Sequence, residues 1–380
     1  MARDVVCAHS GQVATADALA ELRPQLSDID AVAIVFFCSS DHDGIAIERA
    51  LKSWAPKAEI IGCTTAGEFT HLAYTQGGVS VFALSGAKVK RCAATMATYG
   101  AGVVVETAVH EAANAIATKL QVDLRELDPD HWVGVVMNDG LNNNEEEVNT
   151  VLGHVAPLLS FVGGSAGDNF GGKPITIKET KVFHDGREAS NGSVFLLMEL
   201  AVPYVILKTS SYAPTDKRMR IGRVTGRIVH EIDGKPAAVG YAEKVGVKPE
   251  ELNNMVFAAN PLGIMINGEP WVRSAVAVMP NQELMFGCRV REGADLQLLR
   301  STDLIHDTND ALLKSVRELG KTPSCGLLFN CVHRLMTIHG LGLEGPFRES
   351  IGAFPVAGFN SYGENWLAFM NATLIGLLIG

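Results

Sequence analysis

The chain has 380 residues, 47% of them hydrophobic and 19% charged, with a formal net charge of −10. That length is more than one hydrophobic core usually organises, and the acidic balance argues against a nucleic-acid partner. Seven cysteines without a Cys-x-x-Cys pair argue against a disulfide scaffold, a structural zinc site and covalent haem attachment.

The opening MARDVVCAHSG lacks the apolar run of a secretory signal, so a cytoplasmic protein is expected, without membrane insertion. Residues 15–26 read as a short helix interrupted at Pro24. Residues 31–37 are continuously apolar and β-branched, the pattern of a buried strand. The polar break from Cys38 to Gly44 offers N-caps for a helix over 45–54, which Pro56 stops. Residues 78–84 and 89–98 flank Ser85-Gly86 as a hairpin, and 104–120 has helical periodicity. A helix is expected near 145–158, and Asp185-Gly186 marks a tight turn between 180–183 and 193–200.

A second lobe is expected from about Ile221, sharing an interface with the first. Its elements are a hairpin edge at Asp233-Gly234, a short helix over 236–245, and antiparallel strands within 265–278 and 284–290. An amphipathic helix follows over 304–319. The apolar end of the chain, 367–380, reads as a final buried strand. The basic residues Lys217, Arg218, Arg220, Arg223 and Arg227 are expected on an exposed strand face.

One strand–helix–strand sentence occurs three times: AVAIVFF to IIGCTTAGE, WVGVVMNDG to FVGGSAGD, and CGLLFNCVHR to FPVAGFNSYGE. In each, the opening strand and closing glycine turn are roughly 30 residues apart, which marks a reused unit. The fold class is therefore α+β (mixed α/β), with two lobes of mixed sheets flanked by helices.

The closing turns end in Glu68, Asp168 and Glu364 and carry hydroxyls or amides at Thr64, Thr65, Ser165, Asn360 and Ser361. Glycine permits close backbone approach, hydroxyls supply flexible donors, and the acid either orients a ligand or caps the next segment. If the turns converge, they line a ligand cavity, with Cys331 and Arg334 on the facing wall. Arg334 is then either a ligand carboxylate clamp or half of a structural ion pair with Glu364 or Glu68. Cys38 with His42, Cys63, and Cys331 with His333 are thiol candidates, as nucleophiles of a cysteine-dependent hydrolase or transferase or as buried small hydrophobes. His184 is either an axial haem ligand oriented by Asp185 or a turn histidine with one backbone bond.

The segments FFCSSDHD, IIGCTTAGE, VGGSAGD, KVFHDG, HEIDGKPAAVGY, ANPLGI, FNCVHR and FPVAGFNSYGE together resemble the FIST family of sensory proteins. The resemblance implies an N-terminal FIST region over 26–220 and a C-terminal one over 221–380. It also implies a non-enzymatic ligand-binding sensor that docks a separate signalling protein such as a histidine kinase, a chemoreceptor or a cyclic-di-GMP enzyme. FFCS, GCTTAGE, GGSAGD, VFHDG and the Asn371-Ala-Thr373 ending are most similar to the nitric-oxide-responsive, haem-binding NosP-type subgroup. That similarity implies non-covalent haem on His184. Cys331-Val-His-Arg-Leu departs from the more basic run of that subgroup and makes His333 a rival ligand; an amino-acid-like metabolite is the alternative to haem.

Overall fold

The computed structural model describes residues 3–100, 102–168 and 179–380, and the fold is α+β. The first unit comprises β1 (Val5–Ser10), α1 (Thr15–Gln25), β2 (Ala31–Ser39), α2 (Gly44–Trp54), β3 (Glu59–Thr65), β4 (Glu68–Thr70), β5 (Tyr74–Thr75) and β6 (Val79–Ser85). The second repeats that order: β7 (Val89–Thr98), α3 (Val105–Leu120), β8 (Trp132–Asn138), α4 (Glu145–Val155), β9 (Ser160–Ser165), β10 (Val182–His184), β11 (Arg187–Ala189) and β12 (Gly192–Leu200).

The third begins with β13 (Tyr204–Ser210) and is then interrupted by an insert. The insert holds β14 (Tyr212–Arg220), β15 (Val224–Thr225), β16 (Ile228–Val229), β17 (Glu231–Ile232), β18 (Lys235–Pro236), α5 (Ala237–Val245) and α6 (Asn254–Ala259). It ends with β19 (Leu262–Ile266), β20 (Glu269–Arg273), β21 (Ala275–Met279), β22 (Glu283–Phe286) and β23 (Asp295–Ser301). The third unit resumes with α7 (Leu304–Leu319), β24 (Cys325–Cys331), α8 (Val332–Leu341), α9 (Glu344–Ile351), β25 (Val356–Ser361), β26 (Glu364–Trp366), β27 (Ala368–Met370) and β28 (Thr373–Ile379).

Each unit builds most of one six-stranded sheet and borrows the rest. The orders are β1-β6-β2-β3-β10-β11, β7-β12-β8-β9-β26-β27 and β13-β28-β24-β25-β4-β5. The hairpin after each closing turn thus leaves its own sheet and completes another: the second unit's completes the first sheet, the third's the second, the first's the third. The exchange closes a ring. The central pairs β2/β3, β8/β9 and β24/β25 are parallel, as strand–helix–strand crossovers require.

The apolar strand runs are explained by two buried faces. Along β2, Val35 and Phe37 face the core shared by the three sheets, while Ile34 and Phe36 pack under the helices of the first unit. Leu327 and Phe329 repeat this on β24, with Leu328 on the helix side. Period-2 alternation between two apolar environments reads as an unbroken hydrophobic run. Phe37, Phe329 and Phe359 join the first and third units, with ring centroids 4.7 Å apart for Phe37–Phe359 and 5.7 Å for Phe329–Phe359. The insert has a separate core around Met219, Ile232, Tyr241, Phe257 and Phe286.

Local signals hold where caps and turns decide. Asp43 caps α2 by accepting from the Ala46 amide at 2.9 Å, and Asp303 caps α7. Asp185 and Gly186 turn the β10–β11 hairpin with φ of 55° and 70°. The hairpin expected about Ser85-Gly86 does not form. β6 is enclosed by β1 and β2, so both its edges are taken, and β7 pairs with β12 in the second sheet.

Close sheet packing makes a sharp prediction. A Cβ on Gly163 would stand 1.7 Å from the Val136 carbonyl oxygen, whereas one on Gly153, on α4, would meet nothing within 4 Å. Gly163→Ala is expected to cost about 3 kcal/mol by overpacking, and Gly153→Ala to gain about 0.5–1 kcal/mol by helix propensity. Urea midpoints of the two variants, at unchanged m, check both signs.

Candidate functional site

The three closing turns converge. Ala66 N–H donates to the Asn360 carbonyl at 3.0 Å and Asn360 N–H to the Gly67 carbonyl at 2.8 Å, joining first and third. Gly167 N–H donates to Thr64 O at 3.0 Å, joining second and first. Ser165 N–H donates to Gly363 O at 2.8 Å, and Tyr362 N–H to Ser165 O at 3.1 Å, joining second and third. Among the described residues no hollow separates them. A Cβ on Gly167 would lie 2.7 Å from the Ala66 nitrogen and one on Gly164 2.9 Å from the Ser361 Cβ, so glycine lets the turns close on one another. Thr64, Thr65, Ser165, Asn360 and Ser361 are brought together, but as a solid buried knot.

Two of the acids hold that knot. Glu364 Oε1 lies 2.6 Å from Ser361 Oγ, and its Oε2 accepts from the Thr373 hydroxyl at 2.6 Å and the Thr373 amide at 3.2 Å. Glu68 does the same in the first unit, reaching Thr65 Oγ1 and accepting from the Gly78 amide at 3.0 Å. Each carboxyl thus ties its turn to the start of the return strand. Both are fully buried, and burial pushes Glu68 up to about 8 and Glu364 up to about 7. The geometry suits a protonated acid. Thr65 Oγ1 also reaches the Cys38 carbonyl (3.3 Å), and Ser361 Oγ the Asn330 carbonyl (3.3 Å), so one hydroxyl hydrogen faces two acceptors unless the acid supplies the other.

The second unit breaks the pattern. Asp168, one methylene shorter, accepts from the Tyr362 hydroxyl, and Ser165 Oγ instead donates to Glu145 Oε1 at 2.9 Å. Glu145 Oε2 and Glu146 Oε2 then accept from Arg227 Nη2 at 2.6 and 2.7 Å, and Asn143 Oδ1 accepts from Nη1 at 2.8 Å. Arg227 sits between β15 and β16 of the insert, so it is no exposed strand residue like Lys217, Arg218 and Arg220. It clamps the insert onto the start of α4.

A cleft of about 360 Å³ opens beside this clamp, between the insert and the carboxyl ends of β8 and β24. Its apolar wall includes Leu141, Val276, Met285, Phe286 and Met336; its polar wall includes Asn143, Arg227, Asn254, His333, Tyr362 and Asn371, with Cys331 beside them. Among the described residues five buried side-chain polar atoms lack a hydrogen-bond partner, and three of them, Arg227 Nε, His333 Nδ1 and Asn371 Oδ1, belong to side chains that line this cleft. Each such atom costs about 1–3 kcal/mol, which concentrates unmet hydrogen bonding in one place. Burial lowers His333 to about 4, so its imidazole is neutral. A larger cleft of about 650 Å³ runs along β13 past Lys208 and Trp366, but among the described residues no side chain with an unpaired buried polar atom lines it.

The other candidates stand apart from the cleft. Arg334 is 1% exposed and donates to Asn330 Oδ1 at 3.0 Å, Ser211 Oγ at 2.9 Å and Thr308 Oγ1 at 2.7 Å. Neither Glu364 nor Glu68 forms an ion pair with it, because hydroxyls and an amide already fill its donor fork. Cys38 Sγ faces the Cys63 carbonyl at 3.9 Å, while His42 bonds Thr15 Oγ1 and Gly77 O, so the proposed Cys38/His42 pair does not form. Burial raises all seven thiols, including Cys63 and Cys331, which opposes thiolate chemistry.

His184 Nδ1 lies 2.8 Å from the Ile60 carbonyl, leaving Nε2 for a pocket of about 180 Å³ walled by Glu48, Lys52, Glu59 and Lys119. A porphyrin needs a larger, mainly apolar slot, so the surroundings of His184 do not fit haem. Reading the sequence missed Arg227, Tyr362 and the pocket role of Asn371. Tyr362, adjoining Ser361 in the third turn, was the one with a local signal.

Raised carboxyl pKa values set a pH dependence. Between an ordinary value of 4.5 and about 8 the unfolded chain ionises Glu68 while the folded chain keeps it protonated. Stability contributed by this proton is therefore full at low pH and is lost as pH rises through that window. Glu68→Gln, which stays neutral, is expected to flatten the fall in urea midpoint between pH 5 and 8; an equally steep fall would show Glu68 to be ionised in the fold.

The family model described as the FIST N domain matches residues 32–235, and that described as the FIST C domain matches 237–365. An uncharacterized protein of Methanocaldococcus jannaschii is 24% identical over 274 residues, covering 66% of this chain and 50% of that protein. The chain thus spans about half the length of the curated relative it matches. With the N and C regions matched in order over most of its length, this chain belongs to the FIST family.

Proposed function

We propose that the protein is a non-enzymatic sensory module that binds a small organic molecule in the cleft between insert and ring, and that a separate signalling protein in the cytoplasm reads the outcome. FIST domains are associated with sensory ligand binding in signal transduction. The observation that carries the reading is the coincidence of cavity and unmet polar atoms: about 360 Å³, within the usual range for small-molecule sites, with Arg227, His333 and Asn371 each holding one unpaired atom. The position beyond the carboxyl ends of β8 and β24 is where open α/β sheets hold ligands.

Signalling needs a ligand that binds one arrangement more tightly than another. Arg227 supplies the means, because it both lines the cleft and clamps the insert to Glu145 and Glu146. A ligand engaging Arg227 changes the strength of that clamp, and the altered seating of the insert is what a histidine kinase, chemoreceptor or cyclic-di-GMP enzyme would read. Of the two ligand classes implied by the family, this cleft favours the organic metabolite over haem.

Native mass spectrometry of protein purified from cells is expected to show a small retained mass, displaced on denaturation and absent from Met336→Trp, which fills the cleft. Retention of the same mass by the variant would place the ligand elsewhere and overturn the reading.

A further inference from the structure

We infer that the outer edge of β13 is a docking groove for an extended segment of another protein, which joins the third sheet as an added strand. Among the described residues the groove shares no wall with the cleft beside Arg227, and it stands whether or not that cleft holds a ligand. Each six-stranded sheet ends on one side in β11, β27 or β5, strands of two or three residues that are too short to template a partner. On the other side it ends in β1, β7 or β13, which are longer. In an antiparallel ladder successive residues alternate between bonding the neighbour and facing away. The bonds Ser85 N–H to Asp4 O, Tyr99 N–H to Asn191 O and Gly380 N–H to Pro203 O set that alternation. His9 of β1, Ala94 of β7, and Tyr204, Ile206 and Lys208 of β13 therefore turn their backbone groups outward.

Two of these edges are blocked by side chains at mid-strand. Gln25 accepts from the His9 N–H at 3.1 Å and donates to the His9 carbonyl at 2.8 Å. Glu59 accepts from the Ala94 N–H at 3.1 Å, and Lys119 donates to the Ala94 carbonyl at 2.9 Å. A strand could add to β1 or β7 only by displacing those groups. Among the described residues no side chain bonds the outward N–H or C=O of Tyr204, Ile206 or Lys208, and the cleft of about 650 Å³ runs along them.

The walls of the groove specify the segment. Val205 and Leu207 pack under α7, whose Lys314 and Glu318 line the groove on that face of the sheet. Both are exposed, and among the described residues neither forms an ion pair. One helical turn separates them by about 6 Å, close to the roughly 6.6 Å between same-face residues of a strand. An acid and a base two residues apart on the incoming strand therefore complement this wall. On the opposite face Tyr204, Ile206 and Trp366 offer apolar surface. The segment that fits alternates apolar with charged residues, acid and base in turn. A second copy of this chain fits worse, because its β13 arrives flanked by its own α7 and the groove is already walled on both faces.

The probe is an N-acetylated, C-amidated heptapeptide that alternates valine with glutamate and lysine, added to the full chain and followed by 15N–1H NMR. Bound peptide is expected to slow hydrogen exchange at the Ile206 and Lys208 amides by about tenfold or more, leaving Val205 and Leu207, already bonded to β28, unchanged. Two N-methylated forms, blocked either at the valines or at the charged residues, separate backbone pairing from side-chain contact. One is expected to bind about tenfold more weakly and the other like the parent, since only alternate amides face β13. Ile206→Pro deletes one outward N–H and spares the ladder to β28, so it is expected to weaken the parent peptide about fivefold. Equal binding of the two methylated forms, or no added protection at Ile206 and Lys208, would overturn the proposal. Protection of those amides in the peptide-free protein, together with a dimer in sedimentation, would make a second copy the occupant and overturn it as well.

Discussion

No sheet of the ring is complete within its own unit. β3, β9 and β25 each end at a turn that sends the chain away, so each would keep an open edge if the hairpin from another unit did not cover it. An open edge is a row of unpaired backbone donors and acceptors, and three exchanged hairpins remove three of them at once. The exchange also dictates where the turns must be. Three chains can cross between three sheets only by passing near a common axis, which is why the turn backbones hydrogen-bond one another there. Packing density at that crossing, and the glycines that permit it, follow from the same constraint.

Near-symmetry makes the departures informative. Units one and three use the same device, a hydroxyl three residues before a glutamate, to tie the turn to the return strand. The second unit shortens the acid to Asp168 and frees Ser165 for Glu145, whose buried carboxyl also meets the insert's Arg227. The third unit supplies Tyr362 to Asp168 and carries the insert. The cleft forms where these two departures meet. Positions that serve architecture repeat in the ring; those that build the cleft do not.

Much of this was legible residue by residue. The apolar strand β2, α2 after Asp43, the full extent of α7 and the Asp185-Gly186 turn follow from local patterning and capping, which act within a few residues. Thr65 and Glu68, like Ser361 and Glu364, lie three residues apart within one turn, but the sequence reading made those acids ligand contacts, caps or partners of Arg334 and did not pair them with the hydroxyls. The convergence of the turns was inferred from repetition, but repetition says nothing about the space left between them. A filled knot and a hollow have the same sequence spacing; van der Waals contact decides between them. Arg227 was misread as surface charge because its partners Glu145 and Glu146 are 82 and 81 residues away, beyond any local signal.

The sequence by itself determined the repeat, the strand–helix–strand order within it, and the hydroxyl–carboxylate spacing of the turns, because these depend on short-range sterics, capping and periodicity. Only the tertiary structure decided which sheet each hairpin completes, that the turns pack solid, and that Arg227, His333 and Asn371 come to one cleft. Those outcomes depend on burial and on hydrogen-bond partners brought from distant parts of the chain, and no linear pattern records which distant groups will meet.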